Sequence, residues 1–342
     1  MQPLRQILGA ASGSDKIIAL SEGDDPRVVQ AALLARTENA AKILLVGTRT
    51  IILKHLSDNG VTTAEIADEI EIHDPASSPL TNEFRAALVS LRAHKGMTAQ
   101  DAEPLIRNRL IFAALLVQQG YADGTVGGAV ETTSDTVRTA LQIIGKAPGT
   151  NLVSSFFLML YCEDHHAVKG AHIFADCGLV VDPDASEMAE IARASAASYQ
   201  ALVGAPARVA MLSFSTAGSA EHPKVSKVVQ ATQMVKAADP DMIIDGEIQF
   251  DAAFVPEVAA SKASSSALQG AANVFVFPSL NAGNLGYKIA QRIGGATAIG
   301  PVLQGLAKPA NDLSRGCDAE DILHMIAVTV AQSNALSQRQ TA

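Results

Sequence analysis

Two kinds of apolar pattern alternate along the first half of the chain. Compact aliphatic runs at residues 16–20, 42–47 and 70–73 predict short buried strands, the third of them weaker than the others. Longer stretches, an alanine-rich one at residues 28–40 and another at residues 48–59, predict the helices between them. Strands that alternate with helices in this way favour an α/β fold, in which helices cover both faces of a mainly parallel sheet.

Capping patterns mark the helices that follow. Thr98 precedes a helical stretch and Asp101 stands three residues later, which is a capping-box spacing with Asp in place of the usual Glu or Gln. A strand is predicted at residues 124–126. The polar residues 132–135 then predict the N-terminus of a helix that carries Arg138.

The pattern changes after Pro148-Gly149. Two apolar stretches, residues 151–161 and 171–176, predict adjacent strands that run antiparallel across a polar loop. Beyond them, strands and helices alternate again. Helices are predicted at 185–202, 218–238, 283–293 and 322–333, and strands at 208–212, 242–245, 273–277 and 296–299.

The break at Pro148-Gly149 and the Gly300-Pro301 pair predict two α/β/α domains with mainly parallel sheets. Residues 1–148 and 302–342 would form domain I, which carries the last helix, and residues 149–301 would form domain II. The chain of 342 residues is long enough for two packed domains. A ligand site is expected in the cleft between them, a common place for such sites.

Composition and charge narrow the class of protein. A formal net charge of −9 argues against a general nucleic-acid-binding protein, which would carry a basic excess. Three cysteines without metal-type spacing indicate a reducing compartment. The most apolar run, residues 156–161, is far shorter than the roughly 20 residues of a membrane span, and the N-terminus lacks a signal-peptide pattern. We therefore expect a cytoplasmic protein without a nucleic-acid or membrane partner.

The strongest chemical candidates lie in residues 300–321. Glycine and proline punctuate the start of this segment, which predicts a loop over residues 300–317. The Arg315 guanidinium suits a phosphate or a carboxylate, and the Ser314 hydroxyl suits a developing oxyanion. Asp321 lies about two helical turns beyond Ser314 and is expected to face the same ligand.

A plainer alternative exists for each of these residues. Asn311, Asp312 and Ser314 are residue types that cap helices, and Arg315 could form a surface ion pair. The Gly-Pro punctuation favours the functional interpretation. Cys317 could be a nucleophile, but a structural, half-buried cysteine is favoured because free cysteine is among the most buried residue types.

Other candidate groups are weaker when taken singly. Arg92 and Arg138 each stand beside a loop or near a helix start, and with Arg315 they could hold a ligand with several phosphates. The run Cys-Glu-Asp-His-His at residues 162–166 resembles a metal cluster but is interpreted as a solvated loop, so no metal site is predicted. The chain lacks the glycine-rich motifs of dinucleotide and P-loop nucleotide sites.

Several ordered motifs resemble those of the phosphate acetyltransferases (phosphotransacetylases), in the short form without extra N-terminal domains. The resemblance covers essentially the whole chain, and its strongest motif is Asn-Asp-Leu-Ser-Arg-Gly-Cys at residues 311–317. The other matching motifs lie at residues 22–27, 95–98, 174–177, 212–216, 245–247, 281–288, 300–301 and 304–305.

This resemblance implies a fold like that of the isocitrate and isopropylmalate dehydrogenases, a homodimer with domain II as the dimerisation domain, and a site in the interdomain cleft. It implies the reversible conversion of acetyl-CoA and phosphate to CoA and acetyl phosphate in a ternary complex. CoA, acetyl-CoA, acetyl phosphate and phosphate would then be substrates, and no cofactor is expected beside them.

The resemblance also implies roles for individual residues. Asp321 matches the base that takes the CoA thiol proton, Ser314 the group that stabilises the tetrahedral intermediate, and Arg315 the group that binds the phosphoryl or carbonyl group. Arg92 and Arg138 match substrate-binding arginines, with Arg92 on a CoA phosphate. Further substrate-binding residues are expected within the matched motifs, at Lys288, Gln304, Asn311 and Cys317.

Two alternative functions stay open at this point. One is a non-catalytic domain that senses acetyl-CoA, like those fused to malic enzymes, and the other is a transferase for longer acyl groups such as butyryl. The chain also departs from the family pattern at Ser264, Ser279, Glu131 and Thr139. The last two flank Arg138, so we expect them to affect substrate affinity or acyl preference.

Overall fold

The computed structural model describes residues 2–66 and 68–341, and the chain folds as two units. The central unit consists chiefly of Thr150–Gly305, and the N-terminal unit consists of Arg5–Gly149 together with the chain from Leu306 onward. The strands are β1 (Ile17–Leu20), β2 (Lys42–Val46), β3 (Ile70–His73), β4 (Gly124–Gly127), β5 (Ser154–Tyr161), β6 (Gly170–Ala175), β7 (Arg208–Leu212), β8 (Ile243–Ile248), β9 (Val274–Val276), β10 (Thr297–Gln304) and β11 (Ala310–Asp312). The α-helices are α1 (Gln2–Ala11), α2 (Pro26–Thr37), α3 (Arg49–Asp58), α4 (Thr63–Ile66), α5 (Thr81–Arg92), α6 (Ala99–Leu105), α7 (Arg109–Gln118), α8 (Thr133–Ile143), α9 (Ala185–Val203), α10 (Pro223–Ala238), α11 (Phe250–Phe254), α12 (Pro256–Lys262), α13 (Leu280–Arg292) and α14 (Ala319–Thr341).

The N-terminal unit is built on a parallel sheet. Its described strands follow the order β11-β4-β1-β2-β3, and each neighbouring pair is parallel. Helices α2 and α14 pack on each other and on the sheet, while α5, α6 and α7 pack on it through a hydrophobic cluster that includes Leu44, Phe84 and Phe112. Because helices bury parallel strands on both faces, these strands appear in the sequence as near-continuous aliphatic runs.

The central unit contains a mixed sheet. Its described strands follow the order β10-β5-β6-β9-β7-β8, in which β10, β5 and β6 are antiparallel and the remaining pairs are parallel. Phe275 on β9 packs against Phe174, Phe250 and Phe254, with ring centroids 5.4, 5.1 and 5.9 Å away. In a chain without tryptophan, these phenylalanines supply the aromatic part of the core.

The predicted α/β class with mainly parallel sheets is confirmed, and so are most of its elements. The antiparallel pairing of β5 and β6 is present, as the sequence indicated. The capping box is also present: the Asp101 N–H donates to Thr98 Oγ1 at 3.2 Å, and the Thr98 N–H donates to Asp101 Oδ2 at 2.9 Å. Thr132 caps α8 by accepting a hydrogen bond from the Asp135 N–H at 3.2 Å.

The prediction of a loop over residues 300–317 is wrong at its start. Residues 300–304 continue β10, which pairs antiparallel with β5. The register shifts between Ile299 and Val302, so the Gly300-Pro301 pair forms an irregularity inside the strand. Proline has no N–H for the ladder and is tolerated at such irregularities, which is why the pair resembled a strand end.

The same segment contains a strand that the sequence did not predict. Residues Ala310–Asp312 form β11, which adds to the sheet beside β4. Asparagine and aspartate disfavour strands, so this strand depends on its tertiary partner. The last helix also begins earlier and ends later than expected, and the predictions omitted α1, α4, α11 and α12.

The helices carry no sign of a membrane span. Between residues 2 and 341, apart from residue 67, no helix combines the length and apolar character that crossing a bilayer requires.

Two helical glycines offer a test of packing in the fold. An alanine methyl at Gly283 in α13 would collide with the Asp176 carbonyl and lie 3.0 Å from Cys177 Sγ, whereas one at Gly9 in α1 would meet nothing within 4 Å. We expect Gly283→Ala to lower the free energy of unfolding by roughly 1–3 kcal/mol through overpacking. Gly9→Ala should raise it by about 0.5–1 kcal/mol through helix propensity.

Guanidinium denaturation followed by circular dichroism measures both changes. Both substitutions raise intrinsic helix propensity equally, so the opposite signs of the two changes in unfolding free energy report the difference in packing. Equal stabilisation by the two variants would contradict the packing of α13 against the end of β6.

Candidate active site

The carboxyl ends of β4 and β11 bring two loops side by side. The strands are parallel neighbours, with Asp312 opposite Gly127. Parallel strands end at the same edge of a sheet, which is where α/β proteins place their ligands. We call residues 128–132, which lead into α8, the β4 loop, and residues 313–318, which lead into α14, the β11 loop.

The β11 loop presents its polar side chains to solvent. Ser314 and Arg315 are exposed, whereas Cys317 is buried. The Cys317 N–H donates to the Ser314 carbonyl at 2.9 Å, and the Gly316 N–H donates to Ser314 Oγ at 3.4 Å, which closes the turn. Within the described residues the Arg315 guanidinium has no carboxylate partner, so the alternative of a surface ion pair is wrong for this residue.

Asp321 takes part in the start of α14. The Asp318 N–H donates to Asp321 Oδ2 at 3.2 Å, and the Asp321 N–H donates to Asp318 Oδ1 at 2.9 Å. This reciprocal pair is a capping box with Asp318 as the N-cap. The pair fixes the Asp321 carboxylate at the exposed helix start, and Oδ1 accepts no hydrogen bond from any residue that the structure describes.

The alternative in which Asn311, Asp312 and Ser314 cap a helix is therefore wrong. Asn311 and Asp312 belong to β11, and Ser314 lies in the turn that precedes the true cap. The sequence could not separate these possibilities because the same residue types favour caps, turns and polar sites.

Arg27 ties the β11 loop to the rest of the unit. Its Nη1 donates to the carbonyls of Arg315 at 2.9 Å and Cys317 at 2.8 Å, and its Nη2 donates to the Ala129 carbonyl at 2.9 Å. The Asp25 carboxylate accepts from Nε at 3.0 Å and from Nη2 at 2.8 Å, which orients the guanidinium. The hydrogen bond from Arg27 lowers the pKa of Asp25. One side chain thus joins both loops.

A buried carboxylate holds the β4 loop from the same side. Glu22, which is 3% exposed, accepts hydrogen bonds from the N–H groups of Ala129 at 2.7 Å, Val130 at 3.0 Å and Glu131 at 2.8 Å. Three backbone donors compensate the burial of this carboxylate. The path of the β4 loop is therefore set by a residue that follows β1, not by its own sequence.

Asp24 anchors the segment that carries Glu22 and Arg27. Its Oδ2 accepts from Thr48 Oγ1 at 3.0 Å and lies 2.6 Å from Arg109 Nη2. The three acids of residues 22–25 therefore each have a dedicated partner. In the sequence, only the family resemblance indicated a functional role for this segment. A cluster of acids directly after a buried strand is the local signal that could have indicated it.

Cys317 is not arranged as a nucleophile. Burial raises the pKa of its thiol to about 11, against a smaller opposite effect of the Arg27 charge. A thiol with this pKa is protonated at neutral pH, and the thiolate is the nucleophilic form. The Cys317 carbonyl, by contrast, has a structural part as an acceptor for Arg27.

The two other predicted arginines also lie in the N-terminal unit. Arg138 is exposed on α8 and its Nη1 lies 2.7 Å from Asp135 Oδ1. Arg92 ends α5; its Nε is buried without a hydrogen-bond partner, and its guanidinium pairs with no carboxylate among residues 2–66 and 68–341. Arg92 and Arg315 are therefore cations that remain available to an anionic ligand.

Asn311 contributes to the packing of β11. Its Nδ2 donates to Thr329 Oγ1 at 2.9 Å and to Gln332 Oε1 at 2.7 Å, and the residue has no exposed surface. These bonds hold β11 against α14. Its role in substrate binding stays a prediction.

Two predicted residues lie in the central unit. Gln304 is buried; its Nε2 donates to Ser154 Oγ at 2.9 Å and to Ser195 Oγ at 3.0 Å. Lys288 is exposed on α13, with Nζ 5.1 Å from the centre of the Tyr287 ring. Both assignments as substrate-binding residues stay predictions.

The histidines of the 162–166 run contact a helix end. The ring nitrogens of His165 and His166 lie 2.9 and 2.7 Å from the Gly294 carbonyl, just beyond α13. No group of three or more His, Cys, Asp and Glu side chains within the described residues could hold a metal ion.

The β11 loop and the start of α14 therefore combine three chemical functions within eight residues. Ser314 supplies a hydroxyl, Arg315 an unpaired guanidinium and Asp321 a carboxylate oxygen without a partner in the described chain. Together these groups suit proton removal from a nucleophile and stabilisation of an oxyanion or a phosphate.

The chain has close relatives of known type. It matches the family model described as Phosphate acetyl/butaryl transferase over residues 3–330. A phosphate acetyltransferase of Paracoccus denitrificans is 50% identical over 333 residues, which cover 97% of this chain and 100% of that protein. Among solved structures, a phosphotransacetylase from Streptococcus pyogenes has a TM-score of 0.89 at 42% identity, and the EutD phosphotransacetylase from Staphylococcus aureus has a TM-score of 0.87 at 42% identity. Each of these two covers 97% of this chain and 98% of its own.

Loss of the Arg27 side chain should open the β11 loop. In Arg27→Ala the carbonyls of Arg315, Cys317 and Ala129 lose their donor, so we expect Cys317 to become accessible. Alkylation of Cys317 by iodoacetamide, followed by peptide mass spectrometry, should be at least about tenfold faster than in the wild type, because labelling reports local opening.

Arg36→Ala is the matched control, because Arg36 forms an ion pair with Glu69 in which both side chains are exposed. This control should label at the wild-type rate. Equal labelling of Cys317 in Arg27→Ala and in the control would show that Arg27 does not hold the loop.

Proposed function

Because the chain belongs to the Phosphate acetyl/butaryl transferase family, we propose that it catalyses the reversible transfer of an acetyl group between CoA and inorganic phosphate. The observation that carries this proposal is the Ser314, Arg315 and Asp321 arrangement, in which a hydroxyl, an unpaired guanidinium and a carboxylate follow one strand. Three relatives named phosphate acetyltransferase, 43–50% identical to this chain, match over 98–100% of their own length, which supports acetyl as the acyl group.

The proposed reaction begins with removal of a proton from the CoA thiol. Asp321 accepts this proton while the sulfur attacks the carbonyl carbon of acetyl phosphate. A free thiol has a pKa of about 8.5, so a positioned carboxylate assists formation of the thiolate at neutral pH. The capping box with Asp318 holds Asp321 in place for this step.

Attack produces a tetrahedral intermediate with a negatively charged oxygen. Ser314 donates a hydrogen bond to this oxygen, and Arg315 binds the oxyanion or the departing phosphate. Each such donor contributes on the order of a few kcal/mol in other enzymes. The carbon–oxygen bond to phosphate then breaks, and phosphate and acetyl-CoA are the products. The reaction balances without a metal or a redox cofactor.

Charged side chains away from the reacting atoms would bind the phosphates of CoA. Arg92, whose guanidinium has no carboxylate partner among the described residues, and Arg138 on α8 are the candidates in the N-terminal unit. Lys288 is the candidate in the central unit. Arginine binds phosphate through two parallel hydrogen bonds, so lysine at position 92 or 138 would be a poor replacement.

The two alternative functions receive less support. A domain that only senses acetyl-CoA has no need of a carboxylate base such as Asp321, held in place by a capping box. A butyryl-type transferase fits the broad family description, but relatives that are 50% and 44% identical to this chain are named for acetyl transfer. A panel of acyl phosphates of increasing chain length would measure the preference directly.

We further propose a homodimer formed through the central unit. Leu285 and Ile289 on α13, and Ile293 just beyond its end, are 61%, 55% and 82% exposed. Their spacing of four residues places them on one face of the helix. An apolar stripe of this kind suits burial against a second copy of the chain.

The protein is proposed to work in the cytoplasm. Its cysteines Cys162, Cys177 and Cys317 are all free thiols, which fits a reducing compartment.

Kinetic assay of the purified protein tests the function. The wild type should form acetyl-CoA from acetyl phosphate and CoA without ATP or a redox cofactor. Arg315→Ala and Ser314→Ala should each lower kcat by on the order of 10²–10³, as does removal of an oxyanion donor elsewhere. The ultraviolet absorbance of the thioester is a convenient measure, because it rises as acetyl-CoA forms and falls as acetyl-CoA is consumed.

Ser57→Ala on α3 is the control, because Ser57 is exposed and remote from both loops in sequence. It should retain wild-type turnover. A folded wild type without activity would refute the function, whereas wild-type rates in both site variants would refute only the residue assignment.

The dimer is tested separately by sedimentation velocity. Ile289→Asp puts a charge into the apolar stripe and should convert the dimer to a monomer, because an unpaired buried charge strongly destabilises an interface. Ile51→Asp on α3, at a position 39% exposed, should keep the wild-type mass. A wild-type monomer, or a dimer unaffected by Ile289→Asp, would contradict the proposed interface.

A further inference from the structure

Asp312 is a buried carboxyl group that the proposed chemistry does not use. It is the last residue of β11 and lies two positions before Ser314. Its side chain has no exposed surface, and neither carboxyl oxygen has a hydrogen-bond partner in the described part of the chain. Buried carboxyl groups are normally paired, so an unpartnered one at the edge of a proposed active site requires an explanation.

The surroundings of Asp312 belong to both loops. A Cβ atom at Gly128, where φ is +100°, would collide with Asp312 Oδ1, so glycine lets the β4 loop approach the carboxyl group. The hydroxyls of Thr133 and Thr136 in the first turn of α8 come near the carboxyl group without forming hydrogen bonds with it. Asp312 therefore lies beneath the junction of the two loops.

Few charges face this carboxyl group. Glu22 faces it from the segment after β1 and disfavours a second negative charge. Asp135 and Arg138 lie on α8 and pair with each other on the surface. On α14, which packs against β11, the titratable groups nearest in sequence are Glu320, Asp321 and His324, and burial lowers the pKa of His324, which favours its neutral form.

These surroundings favour the uncharged form of Asp312. Burial raises the pKa of its carboxyl group to about 6; Glu22 adds to this rise, and Thr133 and Thr136 oppose it. Neutral pH still lies above this pKa, so the side chain is ionised when no ligand is bound. A negative charge is then buried below the loop that carries Arg315, which is unfavourable.

We propose that Asp312 takes up a proton when an anionic substrate binds over the two loops, so that it is a positioning residue whose charge sets substrate affinity. The proposal rests on the proposed function of the same site. The ionised carboxylate opposes binding of phosphate groups at Arg315, and the neutral acid does not. The proton comes from solvent on binding and returns to solvent on release, so the reaction itself is unchanged.

Calorimetry tests the proton uptake without any turnover. Desulfo-CoA, which lacks the reactive thiol, is titrated into the protein with phosphate at pH 6.5 in two buffers of different ionisation enthalpy. The wild type should take up more protons per bound ligand than Asp312→Asn, whose side chain has the same shape and no charge at any pH. Equal proton uptake in the two proteins would overturn the proposal.

Kinetics test the consequence for substrate binding. Between pH 5.5 and 8, KM for CoA should rise more steeply in the wild type than in Asp312→Asn, while the ratio of the two kcat values stays constant. Ionisation of the substrate affects KM equally in both proteins, so it does not contribute to the difference between them. A change in kcat ratio with no change in KM ratio would contradict a role in affinity.

Two further variants distinguish an effect of the Asp312 charge from an effect of altered structure. Thr136→Val removes a hydroxyl that favours the ionised form, so it should shift the rise in KM to higher pH. Asp184→Asn makes the same chemical change at an exposed cap of α9, where asparagine is as good a cap as aspartate, and should leave the profile unchanged. An unshifted profile in Thr136→Val would count against the proposal even if Asp312→Asn failed to fold.

The dependence of stability on pH provides a test that does not involve the proposed function. Because the folded pKa of Asp312 is raised, its contribution to stability is fully present below about pH 4 and is lost as pH rises through about 6. Relative to Asp312→Asn, the wild type should therefore become less stable over this interval. Parallel stability curves would refute the buried titration itself, whatever the activity of the protein.

Discussion

The site depends on the way in which the segment after β1 ties two neighbouring loops together. Glu22 accepts three backbone N–H groups of the β4 loop, and Arg27 donates to carbonyls of both loops. Hydrogen bonds between a charged side chain and backbone groups are strong and directional. The loops thus take their shape from a third element, while their own side chains, Ser314 and Arg315, remain free for a ligand.

The charged residues of the site therefore fall into two groups, those that are paired within the protein and those that are not. Asp25 and Arg27 neutralise each other, and Asp24 is paired with Arg109, so the supporting charges are satisfied within the protein. Arg315 and Arg92 have no such partner among the described residues and are the cations that an anionic substrate would neutralise. Cys317, with a thiol pKa raised to about 11, belongs to the supporting structure.

The sequence predicted most of the fold because local patterns determine most of it. Aliphatic runs marked the strands β1 and β2, and capping residues marked α6 and α8. It failed at β10, where Gly300-Pro301 lies inside a strand, and at β11, where Asn311 and Asp312 are strand residues only because β4 pairs with them. It named Ser314, Arg315 and Asp321 from their residue types and then by resemblance. It did not reveal the roles of Glu22 and Arg27, because contacts across about a hundred residues or more leave no local pattern.

The central claim is that acetyl transfer takes place over the β11 loop and the start of α14. Hydrogen exchange measured by mass spectrometry, with and without desulfo-CoA and phosphate, tests this claim most directly. Bound ligand should slow exchange in residues 312–321 and in the β4 loop, because both are held at the same edge of the sheet. Slower exchange elsewhere, with residues 312–321 unchanged, would contradict it.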